Sequence, residues 1–108
     1  MAEIVWTEPA LADLEAIADY IAIENSTAAA VLVKHVFRHV TQLAEFPESG
    51  SKPSELGPTS RYRQIVEPPC RVIYRFDGSQ VLILSVMRTE RPLRPRQLYG
   101  RATRAKSD

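Results

Sequence analysis

From Val81 to Met87 the sequence reads VLILSVM. Val81, Ile83 and Ser85 alternate with Leu82, Leu84 and Val86, so a strand here is apolar on both faces. A strand of that kind is covered on both sides. The chain, or a partner, must therefore provide two layers of cover for one short strand.

One layer is legible upstream. Ala2–Trp6 reads as a short strand, and Thr7 is a fitting N-cap, with Glu8 and Pro9 in the first helical turn. Leu11, Leu14, Ile17, Ala18 and Ile21 then recur at helical spacing, which predicts a helix ending near Glu24. Asn25 and Ser26 supply a turn and a cap. A second helix is predicted from Thr27 to Glu45, with Ala29, Leu32, Val33, Val36, Val40 and Leu43 in its stripe and Phe37 beside it. Two helices joined by so short a link fold back on each other as a hairpin. Phe46-Pro47 ends the second helix. Gly50, Pro53, Gly57 and Pro58 make residues 49–60 a loop.

Two more strand-like runs, Arg61–Val66 and Cys70–Phe76, precede the doubly apolar one. Glu67-Pro68-Pro69 separates the first two, and Asp77-Gly78 is a tight-turn signal before the third. The expected fold is α+β, in the order βααβββ. A two-helix hairpin packs on one face of an antiparallel sheet with a three-stranded C-terminal meander. Residues 1–91 are expected to form the domain. Residues 92–108, with Pro92 and Pro95, form a basic, partly flexible segment of it with a short turn near Gln97–Tyr99.

Pairing Val66 with Cys70 places Gln64 opposite Val72 and Tyr62 opposite Tyr74. One face then gathers Arg61, Arg63, Ile65, Arg71, Ile73 and Arg75. The helical hairpin covers only the other face. Leaving Ile73, Leu82 and Leu84 bare would forgo roughly 1.5–3 kcal/mol per side chain. The expectation is an apolar partner segment docked there and rimmed by arginines; the alternative is that residues 92–108 fold back as the cover.

Charge sharpens this reading. Residues 1–60 hold three basic and nine acidic side chains, net −6, whereas residues 61–108 hold eleven basic and four acidic, net +7. Such a split suggests a surface that meets a polyanion or an acidic partner. The single cysteine, Cys70, cannot form an internal disulfide and fits a reducing compartment. No apolar run is long enough to cross a bilayer. A cytoplasmic protein with no membrane partner is expected.

The opening IVWTEPALADLEAIADYIAIEN, the helix-ending LAEFPESG, and the strands RYRQI, CRVIYRF and VLILSVMR together resemble the RelE/ParE toxin superfamily of type II toxin–antitoxin systems. The likeness covers residues 3–91, and the tryptophan-led first helix with its DYIA ending resembles the ParE branch. The resemblance implies a toxin neutralised by a cognate ParD-like antitoxin, whose apolar and acidic C-terminal part wraps the toxin. It implies DNA gyrase as target, or, for the RelE branch, the ribosome and messenger RNA. Antitoxin binding is expected at Ile65, Arg71, Ile73, Arg75, Leu82, Leu84 and Val86. Target or nucleic-acid contact is expected at Arg61, Arg63, Arg71, Arg75, Arg88 and Arg91.

Metal-free RNA cleavage needs a base, phosphate-binding cations and an acid. The candidates here are Arg61, Arg63, Arg71, Arg88 and Tyr99. Many ParE-like sequences carry a histidine where Arg88 stands, and arginine stays protonated, so it is a poor base. A gyrase inhibitor is therefore favoured over an endoribonuclease, and a non-catalytic nucleic-acid-binding module is a third class. His35 and His39 form an i, i+4 pair, but no ligand-like partner at a suitable spacing completes a metal site. No metal or cofactor is expected. Cys70 reads as a small buried residue, and Trp6, Tyr20 and Phe37 as packing groups.

Overall fold

The computed structural model of the chain describes residues 1–101. Strand β1 (Glu3–Trp6) leads into helix α1 (Glu8–Ala22) and helix α2 (Ser26–Thr41), followed by β2 (Tyr62–Glu67), β3 (Cys70–Phe76) and β4 (Gln80–Arg88). The βααβββ order is as expected. Thr7 caps α1 by accepting from Ala10 N, and its Oγ1 donates 2.7 Å to Ile83 O, so the cap also anchors the helix to β4. Asn25 caps α2 through a 2.9 Å bond from Ala28 N. The helix stops at Thr41, four residues before the expected end, and Gln42–Ala44 tighten into a 3-10 turn.

The strand order is β1-β4-β3-β2. The meander β2-β3-β4 is antiparallel, while β1 joins β4 in parallel, which makes the sheet mixed and β4 central. α1, α2 and the 3-10 turn after α2 cover one face with Leu14, Leu32, Val36, Val40 and Leu43 against Val72, Tyr74, Val81 and Ile83. On the loop leading into β2, Gly50 N donates 2.9 Å to Tyr74 Oη, which in turn donates 2.8 Å to Pro47 O. A Cβ at Gly50 would lie 2.6 Å from both Tyr74 Oη and Gln64 O, so only glycine fits there.

Four expectations about faces and packing are corrected. The β2–β3 register is one residue away from the expected one: Glu67 pairs with Cys70, Val66 with Arg71, Ile65 with Val72 and Arg63 with Tyr74. A one-residue slip turns every side chain of a strand over. Ile65 therefore lies in the helix-side core and Arg63 points the same way, not beside Arg71, Ile73 and Arg75. Next, a β-bulge at Leu84 separates the Ile83–Tyr74 pair from the Ser85–Ile73 pair. Leu82, Leu84 and Met87 face away from the helices, while Val86 returns to the helix side.

The second face is not left for a partner. Ile73, Leu82, Leu84 and Met87 are buried beneath Leu93 and Leu98 of the C-terminal segment, with Leu56 and Tyr62 at the margin. The turn Pro95–Leu98 carries this cover, slightly upstream of the expected Gln97–Tyr99. Residues 92–101 thus act as the fold's own lid, and the remainder of the predicted flexible tail lies outside the described residues. Tyr20 is also not a packing group; it is 72% exposed. Trp6 and Phe37 do pack, with ring centroids 4.8 Å apart.

Candidate functional site

Two of the arginines expected to meet a target are instead consumed inside the fold. Arg71 is buried on the lid side of β3. Its Nη2 donates 2.6 Å to Glu55 Oε2 and 2.8 Å to Arg91 O, and its Nη1 donates to Glu55 Oε1 and Gln64 Oε1. Glu55 Oε2 also accepts from Leu93 N at 3.0 Å. The Arg71 guanidinium, and then the Leu93 amide, hold the Glu55 carboxyl down at about 2. One buried cation thereby ties the loop, β2, β3 and the lid together. Arg63 Nη1 binds Gly50 O at 2.8 Å and Glu48 O at 3.2 Å, which fixes the loop beside Tyr74.

A second polar lock forms at the bulge. Asp13 of α1 accepts at Oδ2 from Val86 N (3.1 Å), Ser85 Oγ (3.2 Å) and Arg101 Nη1 (2.8 Å). Arg101 also donates 2.8 Å to Leu84 O. The bulge leaves backbone groups outside the ladder, and this side-chain pair satisfies them. Ser85, the one polar residue within the apolar run from Val81 to Met87, is the sequence signal that could have revealed the lock.

Two further cations lie at the exit of β4. Arg88 is on the helix side opposite Cys70, with Nε 2.9 Å from Glu90 Oε2. Glu90 is held below the usual carboxylate range by its own backbone amide and by Arg88. Arg88 and Arg91 wall an open groove of about 520 Å³ whose floor is Ala16, Ile17 and Tyr20, with Glu90 at its rim. Exposed Ile23 lies beyond it, next to Tyr20 and Arg88. The groove therefore offers apolar contact and two cations in one place. Arg61 is exposed and Arg75 half-buried, both at the opposite end of the meander near the pairing of Tyr62 with Arg75.

The expected shared surface is thus divided. Of its apolar members Ile65, Ile73, Leu82, Leu84 and Val86, none is more than 6% exposed. Of the nuclease candidates, Arg63 and Arg88 stand four positions apart along β3, roughly 13 Å at about 3.3 Å per residue. Arg71 faces the other side of the sheet. Tyr99 is 75% exposed beyond the lid turn.

His39 Nδ1 lies 3.2 Å and His35 Nδ1 3.8 Å from the two oxygens of Glu67, so the fold does bring a carboxylate to the histidine pair. The group clasps α2 to the end of β2. Among the described residues no cluster of three such side chains fits a metal ion. Cys70 is fully buried, and burial pushes its thiol up, away from nucleophilic character. No helix among the described residues is long and apolar enough to cross a membrane.

This architecture, with its helical hairpin, mixed sheet and arginine-lined exit, is that of a small RelE/ParE-type toxin. The model of the ParE toxin of the type II toxin–antitoxin system parDE matches residues 4–93, and the chain belongs to that family. It is 34% identical over 91 residues to the protein named Toxin RelE2 of Caulobacter vibrioides, covering 84% of this chain and 99% of that one. It is also similar to a solved chain of the chromosomal ParDE toxin–antitoxin system from P. aeruginosa. That likeness has a TM-score of 0.68 at 27% identity and covers 83% of this chain and 98% of the other.

Proposed function

We propose that this toxin acts in the cytoplasm by poisoning DNA gyrase and is neutralised by a ParD-like antitoxin. The observation that carries the gyrase reading is the dispersal of the nuclease candidates. Arg63 and Arg71 are committed to structural bonds, Arg88 to Glu90, and both histidines of the chain lie on α2 against Glu67. General acid–base cleavage requires its base and acid within hydrogen-bond reach of one phosphodiester. That requirement favours inhibition by binding over cleavage.

For the antitoxin, the groove of Ala16, Ile17, Tyr20, Arg88 and Arg91 replaces the buried sheet face as the docking site. An apolar side chain would cover Tyr20, and acidic neighbours would pair with Arg91 and compete with Glu90 for Arg88. Gyrase contact is assigned to the exposed Arg61 and the half-buried Arg75 at the far end of the meander.

The test is purified protein with gyrase, ATP and relaxed plasmid. Loss of supercoiling with accumulation of linear DNA is expected, and the partner encoded beside the toxin should reverse it. The likeness to a protein named as a RelE toxin favours a second reading, a ribosome-dependent messenger RNA endoribonuclease. Unaffected gyrase together with cleaved message in a translation extract would establish that reading and remove the first.

A further inference from the structure

Beyond the toxin reading, and independently of its target, we propose that the lid carries a phosphate-binding site for duplex DNA, formed by Arg91, Arg94 and Arg96. The three side chains line one concavity of about 440 Å³ together with Met87, Pro92 and Gln97, and no carboxylate lines it. Arg71, Arg88 and Arg101 each hold an acidic partner; among the described residues Arg91, Arg94 and Arg96 form no ion pair. Three cations within six residues repel one another; Glu90 acts on Arg91 from outside the concavity, and Arg94 and Arg96 have no acidic neighbour in its lining.

Their backbone is nevertheless held firmly. Arg71 binds Arg91 O, Glu55 accepts from Leu93 N, and Leu93 and Leu98 are buried in the second core. Arg94 N donates 2.7 Å to Gln97 Oε1, and Gln97 N donates 2.9 Å to Arg94 O. The arginines therefore project from a closed turn. A phosphate entering there would meet cations already on a rigid support, which lowers the ordering cost of binding.

The chemistry of the lining selects the ligand. Every cation in it is arginine, whose planar fork matches phosphate oxygens better than the compact ammonium of lysine. So dense a row of charge is best matched by duplex DNA, which carries about one negative charge per 1.7 Å. Single-strand binders stack bases on aromatic side chains, and none lines this concavity. Contact with the duplex backbone, without sequence readout, is the fitting mode.

The experiment measures anisotropy of a fluorescein-labelled mixed-sequence duplex of about 20 base pairs with the full chain, from 50 to 200 mM salt. Binding in the micromolar range at the lowest salt is expected, with log K falling linearly against log salt. Arg94→Gln/Arg96→Gln should weaken binding at least tenfold and flatten the slope by about 1.8, at about 0.9 per lost phosphate contact. Lys34→Gln/Arg38→Gln, the same charge change on exposed positions of α2, should leave the slope unchanged. Arg94→Lys/Arg96→Lys preserves charge without the fork and should fall between wild type and the glutamine pair. Equal losses in the two glutamine pairs would mean that net charge alone acts, and would overturn the site. So would absent duplex binding at 50 mM salt, tighter binding of a single strand, or displacement of DNA by polyglutamate at equal charge concentration. Unchanged thermal unfolding of each variant ensures that the loss is read at the site.

Discussion

Removing the charge of Glu55 while keeping its shape should loosen the whole lid side of the molecule. Glu55→Gln leaves Arg71, whose side chain is 7% exposed, without its anion. Breaking a buried pair on one side typically costs about 3–5 kcal/mol. Glu55 itself is 28% exposed, and glutamine can still accept one hydrogen bond. The expected loss is therefore smaller, about 2–3 kcal/mol. For a chain near 100 residues that lowers the melting temperature by roughly 10 °C or more. A pH titration supplies an independent measure. The folded state holds Glu55 at about 2 against its ordinary 4.5, so it favours the ionised form. The resulting stability is fully present above about pH 4.5 and is lost as pH falls through 2. That shift corresponds to about 3 kcal/mol at about 1.4 kcal/mol per tenfold change, and solvent contact reduces it to about 2. Urea unfolding of wild type and Glu55→Gln should differ most near neutral pH and converge towards pH 2. Hydrogen exchange at residues 91–98 should quicken in the variant, because Arg91 O and Leu93 N lose their anchor. A difference below 0.5 kcal/mol at pH 7, or one that persists undiminished to pH 2, would refute the account of Arg71 as the fold's central clasp.

Four further outcomes are expected. Gly50→Ala should destabilise the protein by about 2–3 kcal/mol, because its Cβ meets Tyr74 Oη and Gln64 O at 2.6 Å; chemical denaturation reads this directly. Leu98→Ala should cost about 2–4 kcal/mol and raise binding of a hydrophobic dye, since it opens the second apolar face. Cys70 should resist Ellman's reagent at pH 8 in the native protein and react at once in urea, because burial raises its pKa. Tyr20→Ala combined with Arg91→Ala should weaken antitoxin binding by at least tenfold in calorimetry with little change in thermal stability, and unchanged affinity would exclude the groove.

The hairpin, the strand runs and the family were legible in the sequence because their signals are local. Helical spacing in α1 and α2, the caps Thr7 and Asn25, and alternation along β3 each depend on residues a few positions apart. The doubly apolar β4 also announced that it needed cover on both faces. What it could not specify was the cover: Leu93 and Leu98 are two isolated leucines in a basic, proline-containing stretch, with no periodicity to mark them.

Tertiary structure decided the rest. Glu67 pairing with Cys70 is one residue from the expected alignment, and since side chains repeat every two residues that slip moved Arg63 and Ile65 to the helix side. The bulge at Leu84 did the same for Val86, and its stabilisers, Asp13 and Arg101, lie 72 and 17 residues away from the groups they bind in β4. Charge counting located an arginine-rich half but could not distinguish the cations buried in clasps from those facing solvent. That division rests on which arginine finds a carboxylate in the folded chain, and only the packing of distant segments brings Glu55 to Arg71 while leaving Arg94 and Arg96 unmatched among the described residues.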